Sequence, residues 1–203
     1  MRFRPLAAVA SLVAAATLLT GCDFTFGDND PIGPPPPCPR IVKVGDAATL
    51  TRFQGAGRDV KDVAFQAQVG EVASACSYVT VDTSTSINTT MRVQLIASRG
   101  PALQQDEAKF EYWVAVARIG GEILTRSSFD VEVDLSGNIT RAQSVDELEQ
   151  SIPLRSGEAG DNYVIYVGLV LTPEEVRYNR GEAGTALPDT SLDSDITSDA
   201  PAP

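Results

Sequence analysis

Phe110-Glu-Tyr-Trp-Val-Ala-Val-Ala117 is the stretch that decides the fold, together with the later run Tyr163-Val-Ile-Tyr-Val-Gly-Leu-Val-Leu171. Both runs are apolar at almost every position, on both of the faces that an extended chain presents. An apolar run of this length, rich in aromatic and β-branched residues, indicates a strand that is covered on both sides. We therefore predict that these two runs are central strands of a β-sheet protein.

The segments around these runs alternate between apolar and polar residues with a period of two. This pattern directs one set of side chains to a core and the other set to water, as in a half-buried strand. Gly120-Gly121 lies between two such segments and is typical of a tight hairpin turn. The alternating segments are residues 63–69, 91–95 and 129–135, with further strand candidates at 48–53, at 76–81 and from 139, the last as the partner of 129–135.

Seven to eight short strands with turns between them predict an all-β fold. We expect an antiparallel β-sandwich, with a small antiparallel barrel as the alternative. The strand count and a pair of cysteines resemble the architecture of immunoglobulin-like and fibronectin-III-like modules, although Trp113 and the cysteines lack the spacing of true immunoglobulin domains. Residues 144–150 and 172–178 each carry a capping box, which predicts one or two short helical turns.

The N-terminus has the order of an export signal. Arg2 and Arg4 precede an apolar run of about 14 residues, which as a helix of about 21 Å is short for a bilayer core of about 30 Å. The residues Leu19-Thr20-Gly21-Cys22 that follow resemble the lipobox of bacterial lipoproteins. This resemblance implies that residues 1–21 are removed and that Cys22 carries a lipid, which anchors the chain in a membrane.

The resemblance also sets the expected location, a bacterial cell envelope with the protein facing the periplasm. Asp23 directly after the lipidated cysteine favours inner-membrane retention in enteric bacteria, but this rule is not universal. Inner and outer membrane therefore both remain open. We expect four regions: a signal at 1–21, a lipidated Cys22 and proline-rich tether at 22–37, a β-sandwich at 38–181, and an acidic disordered tail at 182–203.

Two cysteines remain once Cys22 carries lipid. In an exported protein, Cys38 and Cys76 are expected to form a disulfide. The alternative is a pair of free thiols. The two residues are not in a C-x-x-C arrangement, so a redox role has little support.

Charge and composition exclude several functions. The net charge is −11, and losing Arg2 and Arg4 with the signal makes it more negative, which disfavours nucleic-acid binding. The chain has no histidine, which removes the Ser-His-Asp triad and every histidine-based metal site. We expect no cofactor and no catalytic residue.

Carboxylates and aromatic residues are the remaining chemical groups. Asp130, Glu132 and Asp134 share one face of a predicted strand and are weak calcium candidates, although a solvated sheet face explains them as well. Several aromatic residues could line a ligand groove or fill the core. These are Phe110, Tyr112, Trp113, Tyr163 and Tyr166.

Two classes of function follow. The first is a non-catalytic, lipid-anchored module that interacts with another envelope protein, by strand addition or by shape. The second is a carboxylate-based hydrolase of peptidoglycan or polysaccharide, in which a pair such as Glu111 and Glu122 would have to meet across a cleft. Binding of a small ligand or of calcium by the sandwich loops is a further alternative.

Overall fold

The computed structural model describes residues 35–181. The signal, Cys22, the first part of the tether and the tail at 182–203 lie outside these residues. The described part forms eight strands and one α-helix. The strands are β1 Arg40–Lys43, β2 Thr49–Phe53, β3 Val63–Val81, β4 Ser84–Arg99, β5 Glu107–Arg118, β6 Ile123–Asp134, β7 Arg141–Pro153 and β8 Tyr163–Leu169; the helix is α1 Pro173–Asn179.

The strands form two four-stranded sheets, as predicted for a β-sandwich and not a barrel. Sheet A has the order β1-β8-β5-β6, and sheet B has the order β2-β3-β4-β7. The two apolar runs form β5 and β8, which are the central strands of sheet A, so that prediction is confirmed. The pairing is not purely antiparallel, because β1, which the sequence did not predict, runs parallel to β8.

The core lies between the inner faces of the two sheets. In β4 every second residue from Ile87 to Ala97 is buried, as the period-two pattern predicts. Met91, Leu95 and Ile165 have no exposed surface. Burying side chains of this size contributes about 2 kcal/mol each to folding.

The predicted helix at 144–150 is wrong, because these residues lie in strand β7. This strand pairs antiparallel with β4 along thirteen residues, from Ser98↔Arg141 to Ser86↔Pro153. Its residues alternate between half-buried and exposed, and Leu148 and Ile152 pack on the core. The ladder supplies the backbone hydrogen bonds that an isolated helical turn would otherwise have made, and so overrides the local capping signal.

Two other boundaries differ from the prediction. Residues 63–69 and 76–81 belong to one strand, β3, whose register shifts between Val69 and Val72. The strand after the turn at Gly137 begins at Arg141 and joins sheet B, so it is not the partner of β6. The helix after the last strand is confirmed, and the Thr172 side chain caps it with Glu175 in a capping box.

Candidate interaction surface

The residues just before β1 are bonded to the C-terminal half of β3. Cys38 and Cys76 form a disulfide, with their Cα atoms 5.8 Å apart, as the sequence predicted. The Tyr78 hydroxyl donates to the carbonyl oxygen of Pro37 at 2.6 Å and accepts the Gly160 N–H at 2.7 Å. A Cβ at Gly160 would overlap the backbone of Pro37 and Cys38, so this contact requires glycine.

The three acidic residues of β6 are exposed on the outer face of sheet A. The Lys109 ammonium lies 3.2 Å from Glu132 and 2.6 Å from Glu107, and these hydrogen bonds raise the pKa of Lys109. Asp134 accepts the Ser136 N–H at 2.7 Å, which lowers the pKa of Asp134. In the part of the chain that the structure describes, no three acidic or cysteine side chains gather as a metal site would require. The calcium suggestion therefore has no ligand set to support it.

The pair considered for hydrolysis is not brought together. Glu111 faces Asp130 across β5 and β6, and both line an open groove of about 710 Å³. Glu122 lies beyond the other end of β5, where its carboxylate is 2.5 Å from Arg118. Seven residues of extended chain, about 23 Å, separate Glu111 from Arg118. Glu111 and Asp130 are a like-charged cross-strand pair, which is destabilising by itself.

A second acidic group, Glu158, lies beside the β5–β6 hairpin. The Tyr163 hydroxyl donates to Glu158, and this bond lowers the pKa of the Glu158 carboxyl. Arg118 lies 3.3 Å from the same carboxylate, and both charged side chains are mostly buried. A general acid in a glycosidase needs a raised pKa. The pKa shift at Glu158 is in the opposite direction, because the Tyr163 hydroxyl and the Arg155 N–H both donate to its carboxylate.

The aromatic residues divide between the core and the outer face of sheet A. Trp113 lies on that outer face, donates its indole N–H to the Leu169 carbonyl at 3.1 Å, and stacks under Arg126 at 4.4 Å. Tyr166 is partly exposed there as well. The others are buried in the core: Phe110, Tyr112 and Tyr163. They therefore do not line one common groove.

Most free sheet edges in the described residues are protected against pairing with another chain. β6 and β7 each have one free edge, and both strands carry several charged residues. β7 also ends at Pro153, which cannot donate to a ladder. β1 has only four residues and begins and ends with a basic one, and α1 packs against β2. Charges, prolines, short strands and covering helices are the usual means of blocking edge-to-edge association.

The C-terminal half of β3 is the exception among these edges. β2 pairs with β3 only from Val63 to Gln68, so residues 71–81 have no strand partner on that side within residues 35–181. From Val72 to Val81 the sequence has no charged residue and no proline. Its outward side chains are exposed, and Val79 and Val81 keep 38% and 64% of their surface. We define residues 71–81 as the free β3 edge.

The sequence contains part of the signal for this edge, namely ten uncharged residues with a β-strand pattern. It does not show that β3 extends beyond the end of its neighbour β2.

Within residues 35–181, no helix has the length and apolar character needed to cross a membrane. No protein-family model, curated protein or solved structure matches this chain.

Proposed function

We propose that the protein is a lipid-anchored, non-catalytic interaction module of a bacterial cell envelope, which binds an envelope protein by strand addition at the free β3 edge. The observation that carries the proposal is this edge, where residues 72–81 carry no charge and, within residues 35–181, have no strand partner on the side away from β4. Strand addition uses main-chain hydrogen bonds for affinity and alternate side chains for specificity.

The N-terminal sequence and the disulfide support the cellular setting. The lipobox-like residues at 19–22 place a lipid at Cys22, and the Cys38–Cys76 disulfide suits an oxidising compartment. Fifteen residues separate Cys22 from Cys38 and can span at most about 50 Å. On this proposal the domain faces the periplasm from the inner or the outer membrane, and the disulfide fixes where the tether leaves it.

The free β3 edge offers enough hydrogen bonds for reversible binding. An antiparallel partner along ten residues would form about ten backbone hydrogen bonds, half with N–H donors of β3 and half with its carbonyls. Each is worth about 1 kcal/mol net, and the ordering of the partner offsets a large part of this sum. We therefore expect reversible binding of an extended segment in the millimolar to micromolar range, or about 4–8 kcal/mol.

Site-specific photo-crosslinking in intact envelopes tests the proposal. The photo-reactive residue p-benzoylphenylalanine is placed at Ser77, which is exposed in the middle of the edge, and as a matched control at Val145, which is exposed on β7. We expect a discrete protein adduct from position 77 that is absent from position 145 and is reduced in a Cys22→Ala chain. Adducts of equal yield at both positions, or none at 77 from a folded and lipidated chain, would overturn the proposal.

A further inference from the structure

We infer that the partner at the free β3 edge is a second copy of this chain, joined antiparallel about a two-fold axis near Cys76 and Ser77. This inference rests on the proposed function and names its partner. The two sheets B would then form one continuous eight-stranded sheet through a β3–β3′ seam. A C2 interface of this type is isologous, so every contact occurs twice.

The side chains of the edge are self-complementary in size. On the outward face the N-terminal half carries small residues, Ala73 and Ala75, and the C-terminal half carries Val79 and Val81. Antiparallel pairing about a two-fold axis places the C-terminal half of one copy against the N-terminal half of the other. With the axis at Cys76, Val79 faces Ala73 of the second copy, and with the axis at Ser77 it faces Ala75. In both registers an exposed valine gains a small neighbour.

Charge favours this edge as the place where two copies can meet. Each chain has a net charge of −11, so two copies repel one another over most of their surfaces. The seam from Val72 to Val81 carries no charge, so close contacts between acidic residues are limited to its two ends, where Glu71 of each copy comes near Asp82 of the other. At physiological salt, charges further apart than about 8 Å are largely screened. An uncharged seam of about 33 Å therefore lets two acidic copies pair.

The attachment of the tether is compatible with two copies on one membrane. Cys76 packs toward the core, and its bond to Cys38 holds the incoming chain on the inner side of sheet B, near the middle of the edge. A two-fold axis perpendicular to the joined sheet leaves both attachment points on the same side of that sheet. Anchoring in one membrane also raises the local concentration of the copies.

The test uses the full chain, with tagged and untagged copies expressed together and p-benzoylphenylalanine at Ser77 of the untagged copy. We expect an adduct of two chains that contains the tag, and none with the photo-reactive residue at Val145. An adduct with a different protein would overturn self-pairing and leave the proposed strand addition standing. The absence of any adduct at position 77, from a lipidated chain with an intact Cys38–Cys76 disulfide, would overturn both.

A second measurement follows self-association of the full chain in detergent by light scattering. Val79→Glu places an extra anion on the seam in both acidic copies, and Val145→Glu makes the same change in net charge on the exposed part of β7. We expect Val79→Glu to raise the dissociation constant of the dimer about tenfold or more, because it adds like charge to the seam and acts twice in a two-fold interface. Val145→Glu should leave it nearly unchanged. Equal effects of the two variants, at unchanged unfolding temperatures, would refute the seam.

Discussion

Replacing both Cys38 and Cys76 by serine tests how much their disulfide stabilises the domain. The bond joins residues 38 positions apart in the sequence. In the chain-entropy model, a closed loop of about 39 residues loses configurational freedom worth about 4 kcal/mol at 25 °C. The Tyr78 hydroxyl still bonds Pro37 and Gly160 after the substitution, so the native structure should change little at this point. We therefore expect a loss of 3 to about 4 kcal/mol in the free energy of unfolding.

Urea unfolding of the two chains, followed by the fluorescence of Trp113, measures this loss. For a domain of about 150 residues, each kcal/mol lowers the melting temperature by about 2–4 °C, so we expect a decrease of about 6–16 °C. The slope of free energy against denaturant should rise in the variant, because the unfolded chain without a cross-link exposes more surface. The wild-type chain under reducing conditions is the matched control and should unfold like the variant.

A loss below about 1 kcal/mol would refute the loop-entropy reasoning for this disulfide. The free energy of unfolding should fall by the same amount in the reduced wild-type chain and in the variant. A clear difference between the two decreases would show that the serines themselves alter the native state. Hydrogen exchange at Ser77 and Tyr78 would then show whether this part of β3 opens locally.

Three further changes have effects that follow from the described contacts. Gly160→Ala should destabilise the domain by about 1–3 kcal/mol, because the added Cβ would overlap the Pro37 backbone; an unchanged urea midpoint would contradict this. Tyr112→Phe removes a 3.0 Å bond to Asp146 and should cost about 1 kcal/mol. Burial raises the pKa of Tyr112, so the wild type keeps this stability below pH 10 and loses it as the pH rises further, and the variant should show a smaller alkaline loss in melts at pH 8–11. Leu95→Ala should cost about 2–5 kcal/mol by calorimetry, since Leu95 is fully buried, and a cost under 1 kcal/mol would argue against the two-sheet core.

The fold class could be read from the sequence because its signals are local and repeated. Period-two alternation identified β4 and β6, and two unbroken apolar runs identified the central strands β5 and β8. The disulfide could be predicted by setting aside Cys22 as the expected lipid site, which leaves Cys38 and Cys76 as a pair. The capping box and Pro173 identified α1, whose first turn depends on residues that are close in sequence.

The errors occurred where distant pairing outweighed a local signal. The same capping-box pattern predicted α1 correctly and the helix at 144–150 wrongly. Residues 144–150 differ because their inward side chains, such as Leu148, find a core beside β4, whereas α1 follows the last strand and has no ladder to join. β1 was missed because four residues carry too little periodicity, and its parallel pairing with β8 depends on contacts across most of the chain.

The free β3 edge shows why the proposed binding surface could not be predicted from the sequence. An uncharged strand such as 72–81 is ordinary in the middle of a sheet, and it can pair with another chain only if no neighbouring strand covers its edge. Whether it is covered depends on the lengths of two strands, and β2 stops opposite Val63–Gln68 while β3 continues to Val81. Because the other edges are short, covered or charged, the unprotected one is a specific feature of this molecule. Because Cys38 is bonded to Cys76 and Pro37 accepts the Tyr78 hydroxyl, any strand that pairs with this edge also comes close to residues 37 and 38.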